Sequence, residues 1–331
     1  MRALRGDNDP PPKYRVQTYR QLFSTIVVMA ARLILNADDF GLTPGINRAV
    51  EELYHAGKLT SATLMANGAA FEDALAVSRA NPGLGVGCHI VLTDGVPLTH
   101  PQRIPTLLGG DGKSFRASLL DFLTALTLGR INPDEVAIEA LAQIDRLQSS
   151  GIDITHVDTH KHTHLFPSIA RPILFACERA GIGAVRNPFE GGWSLALGTG
   201  DPLRRVQLRV LSPLHRRFEA LPGIANQHVL TTSGTIGISA TGHLNSITLA
   251  SILEHLPEGL WELVCHPGYN DRDLDAVTTR LRVTRDIERE ALLAAAIPQH
   301  VQLLNYGNLG SLGAVRASGR HQPAQGAGKL F

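Results

Sequence analysis

The chain has 331 residues, of which 44% are hydrophobic, and its formal net charge at pH 7 is +1. This length fits one large α/β domain or two smaller domains. Because the charge is nearly balanced, composition gives no general reason to expect a nucleic-acid partner. Cys88, Cys177 and Cys265 are odd in number and widely separated, which argues against a disulfide framework and fits a reducing compartment.

The amino terminus is polar and contains prolines up to a short apolar run, LFSTIVVMAA. Basic residues before such a run, and small residues at its end, also occur in secretory signal peptides. Cleavage there would leave almost nothing before the first strand, so we expect a cytoplasmic protein in which residues 1–28 are a disordered extension. No apolar stretch reaches the roughly 18 residues of a membrane-spanning helix. Residues 314–331, rich in Gly, Ala and polar residues, predict a disordered tail.

Short β-like runs alternate with amphipathic helical segments along residues 29–313. The expected strands contain RLILNADDFG, SATLMANG, GVGCHIVLT, DITHVDTH, GAVRNP, LWELVCHPGY and HVQLLNYGN. A repeated βα order implies a parallel sheet covered by helices. About seven such units favour an α/β fold with a single domain, a distorted (β/α) TIM-like barrel of parallel strands. A doubly wound open sheet is the alternative.

A helical insertion is expected at about residues 195–222. Within DPLRRVQLRVLSPLHRRFEALPG, apolar residues recur at helical spacing between five arginines. We favour a helical segment that packs on the barrel and breaks near Pro213. The alternative is a basic amphipathic helix that rests on an anionic membrane surface.

Polar residues suited to metal binding or catalysis fall at the carboxyl ends of the expected strands. They are Asp38 and Asp39 on the first strand, His89 on the third, Asp158 and His160 on the fourth, Arg186 on the fifth and His266 on the penultimate one. In a parallel barrel these ends meet on one face, where active sites lie. Aspartate and histidine together bind divalent ions such as zinc. The pattern therefore predicts one metal-dependent site.

Each of these residues also has a structural explanation when it is taken alone. A single aspartate after a strand is commonly a helix N-cap or a turn residue, and a single interior histidine is commonly just hydrogen-bonded. Their joint placement favours the functional interpretation. Asp38 and Asp39 are neighbours and would diverge on a straight strand, so both reach one site only if the chain turns at Phe40-Gly41.

Four stretches, NADDFGLTPGIN, GCHIVLT, HVDTHKHTHLFP and VCHPGY, resemble motifs of the YdjC-like carbohydrate deacetylases. This family includes chitooligosaccharide deacetylases and hopanoid-biosynthesis deacetylases. The likeness runs in order through about residues 32–295. It implies a distorted (β/α) barrel that removes N-acetyl groups from amino sugars.

The resemblance also implies residue roles. The metal ligands are Asp39, His89 and His160, the general base is Asp38 and the general acid is His266. Zinc is the favoured ion, with magnesium, manganese or cobalt as alternatives. We further expect Arg186 to belong to the catalytic group, because its positive charge would keep the base ionised and oriented.

The implied substrate is an N-acetylated amino sugar, either a free oligosaccharide or a sugar-lipid such as a hopanoid glycolipid. A glycolipid substrate would add a peripheral membrane contact. The candidate substrate-binding residues are Asp158, His164, Phe166, Trp193 and Tyr269, of which the aromatic ones could stack on sugar faces. Asp158 is also a candidate for orienting a histidine ligand. A homo-oligomer is compatible with the sequence.

Two other function classes stay open at this stage. One is another metal-dependent barrel hydrolase that acts on an ester, a cyclic amide or a phosphoester, because this fold supports many chemistries. The other is a sugar-binding protein without turnover. Asp38, Asp39 and His266 together favour an enzyme, since a binding protein needs neither an acid nor a base.

Overall fold

The structure is a computed structural model, and it describes residues 31–310. The expected extension at 1–28, the tail at 314–331 and the domain limits at 29 and 313 lie outside the described residues. No helix in the described range is both long enough and apolar enough to cross a membrane.

Seven strands form one sheet within residues 31–310. They are β1 (Ala31–Phe40), β2 (Ser61–Leu64), β3 (Gly85–Ile90), β4 (Val157–Thr159), β5 (Gly234–Ile236), β6 (Gly259–Cys265) and β7 (Val301–Leu304). The hydrogen-bonded order is β4-β3-β2-β1-β6-β5, and β7 pairs with the first part of β1. All of these ladders are parallel. The carboxyl ends of the strands therefore lie at one edge of the sheet.

Twelve helices connect and cover these strands in the same range. They are α1 (Pro44–His55), α2 (Phe71–Ala80), α3 (Leu119–Thr127), α4 (Pro133–Ser149), α5 (Pro167–Ala180), α6 (Gly192–Ala196), α7 (Pro202–Leu211), α8 (Leu214–Glu219), α9 (Pro222–Ala225), α10 (Ser246–Glu254), α11 (Arg272–Asp275) and α12 (Val283–Ala294). Local sequence explains several ends. Thr43 caps α1 by accepting from the Ile46 amide, and Pro44 follows in the first turn. Gly181 ends α5 with a left-handed φ of 73°.

The sheet is a curled half-barrel rather than a closed TIM barrel. The expected strand GAVRNP forms no ladder: Val185 makes an isolated bridge to Val157, and Glu190, just beyond it, makes one to Thr235 of β5. β4 and β5 are each only three residues long, so they offer little backbone for a longer ladder. The predicted α/β fold with a parallel sheet is confirmed, whereas closure of a TIM-like barrel is not.

Helices α6 to α9 occupy the stretch in which the helical insertion was expected. The helical path breaks between α7 and α8, next to Pro213, where a proline cannot continue the hydrogen-bond ladder. Phe218 of α8 is buried, and its ring centroid lies 5.9 Å from that of Phe189. The insertion is thus anchored to the domain through α8.

Candidate active site

The end of β1 turns so that two neighbouring carboxylates enter one cluster. Asp39 has a φ of 64°, a left-handed conformation uncommon outside glycine. The β1–β2 register shifts between Ala37 and Phe40. Gly41 continues the turn with a φ of 89°, and a Cβ there would lie 2.7 Å from a Leu64 methyl carbon. The turn expected at Phe40-Gly41 therefore begins at Asp39 itself.

Asp39, His89 and His160 bring three ligand atoms together. Asp39 Oδ1 lies 3.3 Å from His160 Nδ1 and 3.6 Å from His89 Nε2, and these two ring nitrogens are 3.3 Å apart. Ligands bound tetrahedrally to zinc at about 2.0–2.1 Å would be roughly 3.3–3.4 Å apart. Asp39 Oδ1 is also buried without a hydrogen-bond partner. The donor atoms and their spacing therefore fit a divalent cation.

Asp158 fixes the orientation of His89. Its Oδ1 lies 2.7 Å from His89 Nδ1, which directs His89 Nε2 toward the other two ligand atoms, as is usual for metal-binding histidines. Burial alone would lower the pKa of His89, but the carboxylates of Asp158 and Asp38 outweigh burial and raise this pKa to about 9. The cluster thus favours positive charge at this position, supplied by a proton or by a cation.

Asp38 belongs to a buried ion network around Arg186. The Arg186 guanidinium donates to Asp38 Oδ2 at 3.0 Å and to Asp38 Oδ1 at 2.7 Å. It also donates to Glu262 Oε1 at 2.9 and 2.7 Å and pairs with Asp158. Burial would raise the pKa of Asp38, but Arg186 and nearby histidines hold it well below its usual range. Asp38 is therefore an ionised carboxylate in a fixed position.

His266 lies beside the same carboxylate. Its Nε2 is 3.9 Å from Asp38 Oδ2, and its backbone amide donates to Glu288 Oε2 at 2.6 Å. Burial lowers the pKa of His266 to about 4, although Asp38 and Asp39 oppose this shift. The ring is therefore neutral near pH 7. A carboxylate and a neutral imidazole therefore lie close enough for one water to link them, which permits proton transfer.

Three further buried charges lie at this site, and the sequence reasoning missed all of them. Arg285 donates to Asp39 Oδ2 at 2.5 Å, Glu288 holds the backbone after β6, and Glu262 accepts from the Tyr306 hydroxyl at 2.5 Å. A signal existed for each one. Glu262 is the only charged residue in the strand pattern LWELVC, and Arg285 and Glu288 share a helix face at a spacing of three.

The chain bends tightly directly after β4, in the histidine-rich stretch of residues 160–164. Lys161 and His162 have left-handed φ values of 56° and 52°, and Lys161 pairs with Asp94. His162 is half-buried, and its Nδ1 has no hydrogen-bond partner. His156, before β4, is fully buried, and its ring stacks on Tyr306 with a centroid separation of 3.8 Å.

Two of the expected substrate-binding residues lie in the interior. Asp158 is fully buried, and its oxygens face His89 and Arg186. His164 is also fully buried, with Nδ1 2.6 Å from Thr159 Oγ1 and Nε2 3.2 Å from the Arg186 carbonyl oxygen. Protein groups contact both side chains, and a sugar contact of these two residues stays a prediction. The Asp158–His89 contact fits the other role expected for Asp158, that of orienting a histidine.

Trp193 and Phe166 are packed against protein. The Trp193 ring meets Trp261 edge-on with a centroid separation of 5.5 Å. Trp261 closely approaches Gly234, the first residue of β5, so this pair lies toward the amino ends of the strands, away from Asp38. The expected sugar contact of Trp193 stays a prediction. Phe166 is half-buried and packs against the hydrophobic core.

Protein side chains contact both the ring and the hydroxyl of Tyr269. The guanidinium carbons of Arg48 and Arg289 lie 3.7 and 4.3 Å from the ring centroid. The hydroxyl donates to Glu52 Oε2 at 2.9 Å. Sugar stacking on Tyr269 stays a prediction, and a sugar would compete with these arginine contacts for the ring.

Comparisons with known proteins identify the family of this chain. The model of the YdjC-like protein family matches residues 32–302. A carbohydrate deacetylase of Brevibacillus brevis is 32% identical over 290 residues, which cover 84% of this chain and all of the relative. The carbohydrate deacetylase of Homo sapiens is 30% identical over 72% of this chain and 75% of its own length. A solved structure from Enterococcus faecalis, whose proposed activity is cellobiose-phosphate cleavage, shares the fold, with a TM-score of 0.67 and 23% identity over 85% of this chain and 99% of its own. This chain belongs to the YdjC-like protein family.

Proposed function

We propose that this chain is a metal-dependent carbohydrate N-deacetylase that hydrolyses the acetamide group of an N-acetylglucosamine-type sugar. One observation carries the proposal: Asp38 and His266, 3.9 Å apart, lie beside the convergent ligand atoms of Asp39, His89 and His160. The relatives from Brevibacillus brevis and Homo sapiens are both named carbohydrate deacetylases, which supports a sugar amide as the substrate.

Asp39, His89 and His160 would hold the ion, for which zinc is favoured and magnesium, manganese or cobalt are alternatives. A divalent ion at this position supplies Lewis-acid polarisation of the acetamide carbonyl and activation of water. Asp158 keeps the Nε2 lone pair of His89 directed toward the ligand cluster. Arg285 donates a hydrogen bond to Asp39 Oδ2, so Oδ1 remains available to bind the ion.

Asp38 acts as the general base, and His266 acts as the general acid. Arg186 keeps Asp38 ionised, so its carboxylate takes a proton from the attacking water. The neutral His266 ring, whose Nε2 lies 3.9 Å from Asp38 Oδ2, would receive this proton through one bridging water, because the gap exceeds hydrogen-bond reach. It then protonates the departing sugar nitrogen as the C–N bond breaks. The products are acetate and a free amino sugar, and both side chains return to their starting protonation states.

The test is acetate release by metal-stripped protein to which zinc or magnesium is restored. The substrates are an N-acetylated chitobiose and an N-acetylglucosaminyl lipid, such as a hopanoid glycolipid, in detergent. Metal-dependent acetate from either substrate supports the proposal, and the preferred substrate separates a free sugar from a sugar-lipid. If the protein binds the metal and stays folded but releases no acetate from any acetylated sugar, another metal-dependent hydrolase activity is favoured.

A further inference from the structure

Helix α7 presents its apolar stripe to solvent. Leu203, Val206 and Val210 recur at helical spacing, and they are 68%, 54% and 71% exposed. A helix that packs on a domain normally turns its apolar stripe toward the core. No other part of residues 31–310 covers this stripe.

The other side of α7 is held to the domain by polar contacts. Arg204 donates to the carbonyl oxygens of Ile238 and Thr241 at 3.3 and 3.1 Å. Arg209 donates to the carbonyl oxygen of Leu195 at 3.0 Å. These arginines and Leu211, which packs against the hydrophobic core, attach the helix, while Leu203, Val206 and Val210 point away from the protein. A second, exposed apolar stripe is expected of a helix whose outer face meets an apolar medium.

Helix α7 lies at the sheet edge that carries the candidate active site. Ile238 and Thr241, which bind Arg204, follow the carboxyl end of β5. β5 pairs with β6, whose carboxyl end leads into His266. A surface in contact with α7 would therefore lie on the same side of the molecule as the candidate site.

The segment around α7 is positively charged. Residues 201–223 contain five arginines and two acidic residues, a net charge of +3. Arg216 and Arg217 of this segment are exposed. Two copies of the chain that met through this segment would repel each other, whereas an anionic surface would attract it.

We propose that α7 docks the protein on an anionic lipid surface, with Leu203, Val206 and Val210 entering the interface and the exposed Arg216 and Arg217 available to lipid phosphates. This docking does not depend on the reaction proposed above. For a sugar-lipid substrate, it would place the candidate site on the side from which the headgroup arrives.

The test is co-sedimentation of the full chain with vesicles of phosphatidylcholine alone and of phosphatidylcholine mixed with phosphatidylglycerol. We expect binding to the mixed vesicles that weakens with added salt. The triple variant L203S, V206S and V210S should lose about tenfold or more in partition coefficient. The matched control is the double variant L120S and L128S, which replaces Leu120 of α3 and Leu128 directly after it, side chains that are 75% and 58% exposed. The control should bind as the wild type does.

Three results would overturn the proposal: unchanged binding by the triple variant, an equal loss in the control, or equal binding to both kinds of vesicle. Circular dichroism and thermal melting establish that each variant is folded, which we expect because the replaced side chains are exposed. The oligomeric mass without vesicles is measured as well. A wild-type dimer that becomes a monomer in the triple variant, with no vesicle binding, would assign the stripe to a second copy of this chain.

Discussion

Arg186 binds both oxygens of the Asp38 carboxylate while it also holds Glu262, with donor–acceptor distances between 2.7 and 3.0 Å. All three side chains are buried, so their charges are compensated by one another rather than by water. A planar guanidinium can make these paired contacts, and a lysine ammonium cannot reproduce them. The same contacts therefore fix both the charge and the direction of the proposed base.

The substitution R186K should reduce stability and turnover together. We expect a loss of about 3 kcal/mol in the free energy of unfolding, because several buried contacts lose their partner. We expect kcat to fall by about 100-fold, because Asp38 is no longer held in one position. Denaturant unfolding and acetate release measure the two effects. R179K changes an exposed arginine of α5 and should alter neither. Wild-type kcat in R186K would contradict the orienting role.

The strand-end residues could be predicted because their pattern is visible in the sequence. An apolar run that stops at Asp38 marks a strand end, and the parallel sheet brings such ends to one edge. Closure of the barrel could not be predicted in this way. It depends on whether the stretch around Val185 pairs continuously with its neighbours, and periodicity does not report strand pairing.

The packing of loop aromatics could not be predicted, because sequence order does not tell toward which end of the sheet a side chain packs. Trp193 lies toward the amino ends of β5 and β6, where it meets Trp261. Arg285 and Glu288 were missed for a related reason. In the sequence, the helix that contains them has the pattern of an ordinary amphipathic segment. The contacts of its polar face with Asp39 and with the backbone of His266 are visible only in the tertiary fold.

The two neighbouring aspartates should separate turnover from metal binding. D38N should lower the rate of acetate release by about 10²- to 10⁴-fold and keep the metal, because a general base is lost and no ligand changes. D39N should lose the metal, because Oδ1 of Asp39 is the proposed ligand atom. Metal content by atomic absorption and acetate release distinguish the two. Loss of metal in D38N together with retention in D39N would reverse the assignments.

The substitution D158N should weaken metal binding without removing a ligand. Asp158 fixes the ring of His89 through a 2.7 Å contact at Nδ1, and loss of such a partner typically lowers affinity by about 10- to 100-fold. Competition with a chromogenic chelator measures this affinity directly. E190Q is the matched control, because Glu190 is another buried carboxylate whose partners are Ser194 and Ser239. An equal loss in the control would indicate general destabilisation.

His164 should make the fold sensitive to acid. Burial, together with the charge of Arg186, lowers the pKa of His164 to about 3. The Arg186 carbonyl oxygen can only accept, so Nε2 of His164 donates to it, and Nδ1 accepts from the Thr159 hydroxyl. In the folded state both ring nitrogens already have hydrogen-bond partners, so a second proton on Nδ1 would break its bond with Thr159.

The direction of the effect follows from the protons bound in each state. In the unfolded chain the pKa of a histidine is about 6.5, so between about pH 6.5 and pH 3 the unfolded state binds a proton that the folded state does not. This part of the stability is complete above the unfolded pKa and is lost as the pH falls toward the folded pKa. On acidification from about pH 7.5 to pH 5, protonation of His164 in the unfolded chain should lower the free energy of unfolding by roughly 2 kcal/mol.

The variant H164N has no group at position 164 that binds a proton in this pH range. On acidification over the same range, its free energy of unfolding should therefore fall by roughly 2 kcal/mol less than that of the wild type. Urea unfolding at the two pH values measures this difference, and any general destabilisation by the substitution cancels within each variant. H228N replaces an exposed histidine and should retain the wild-type acid sensitivity. If H164N and the wild type lose the same stability on acidification, the ring of His164 is not held neutral in the fold.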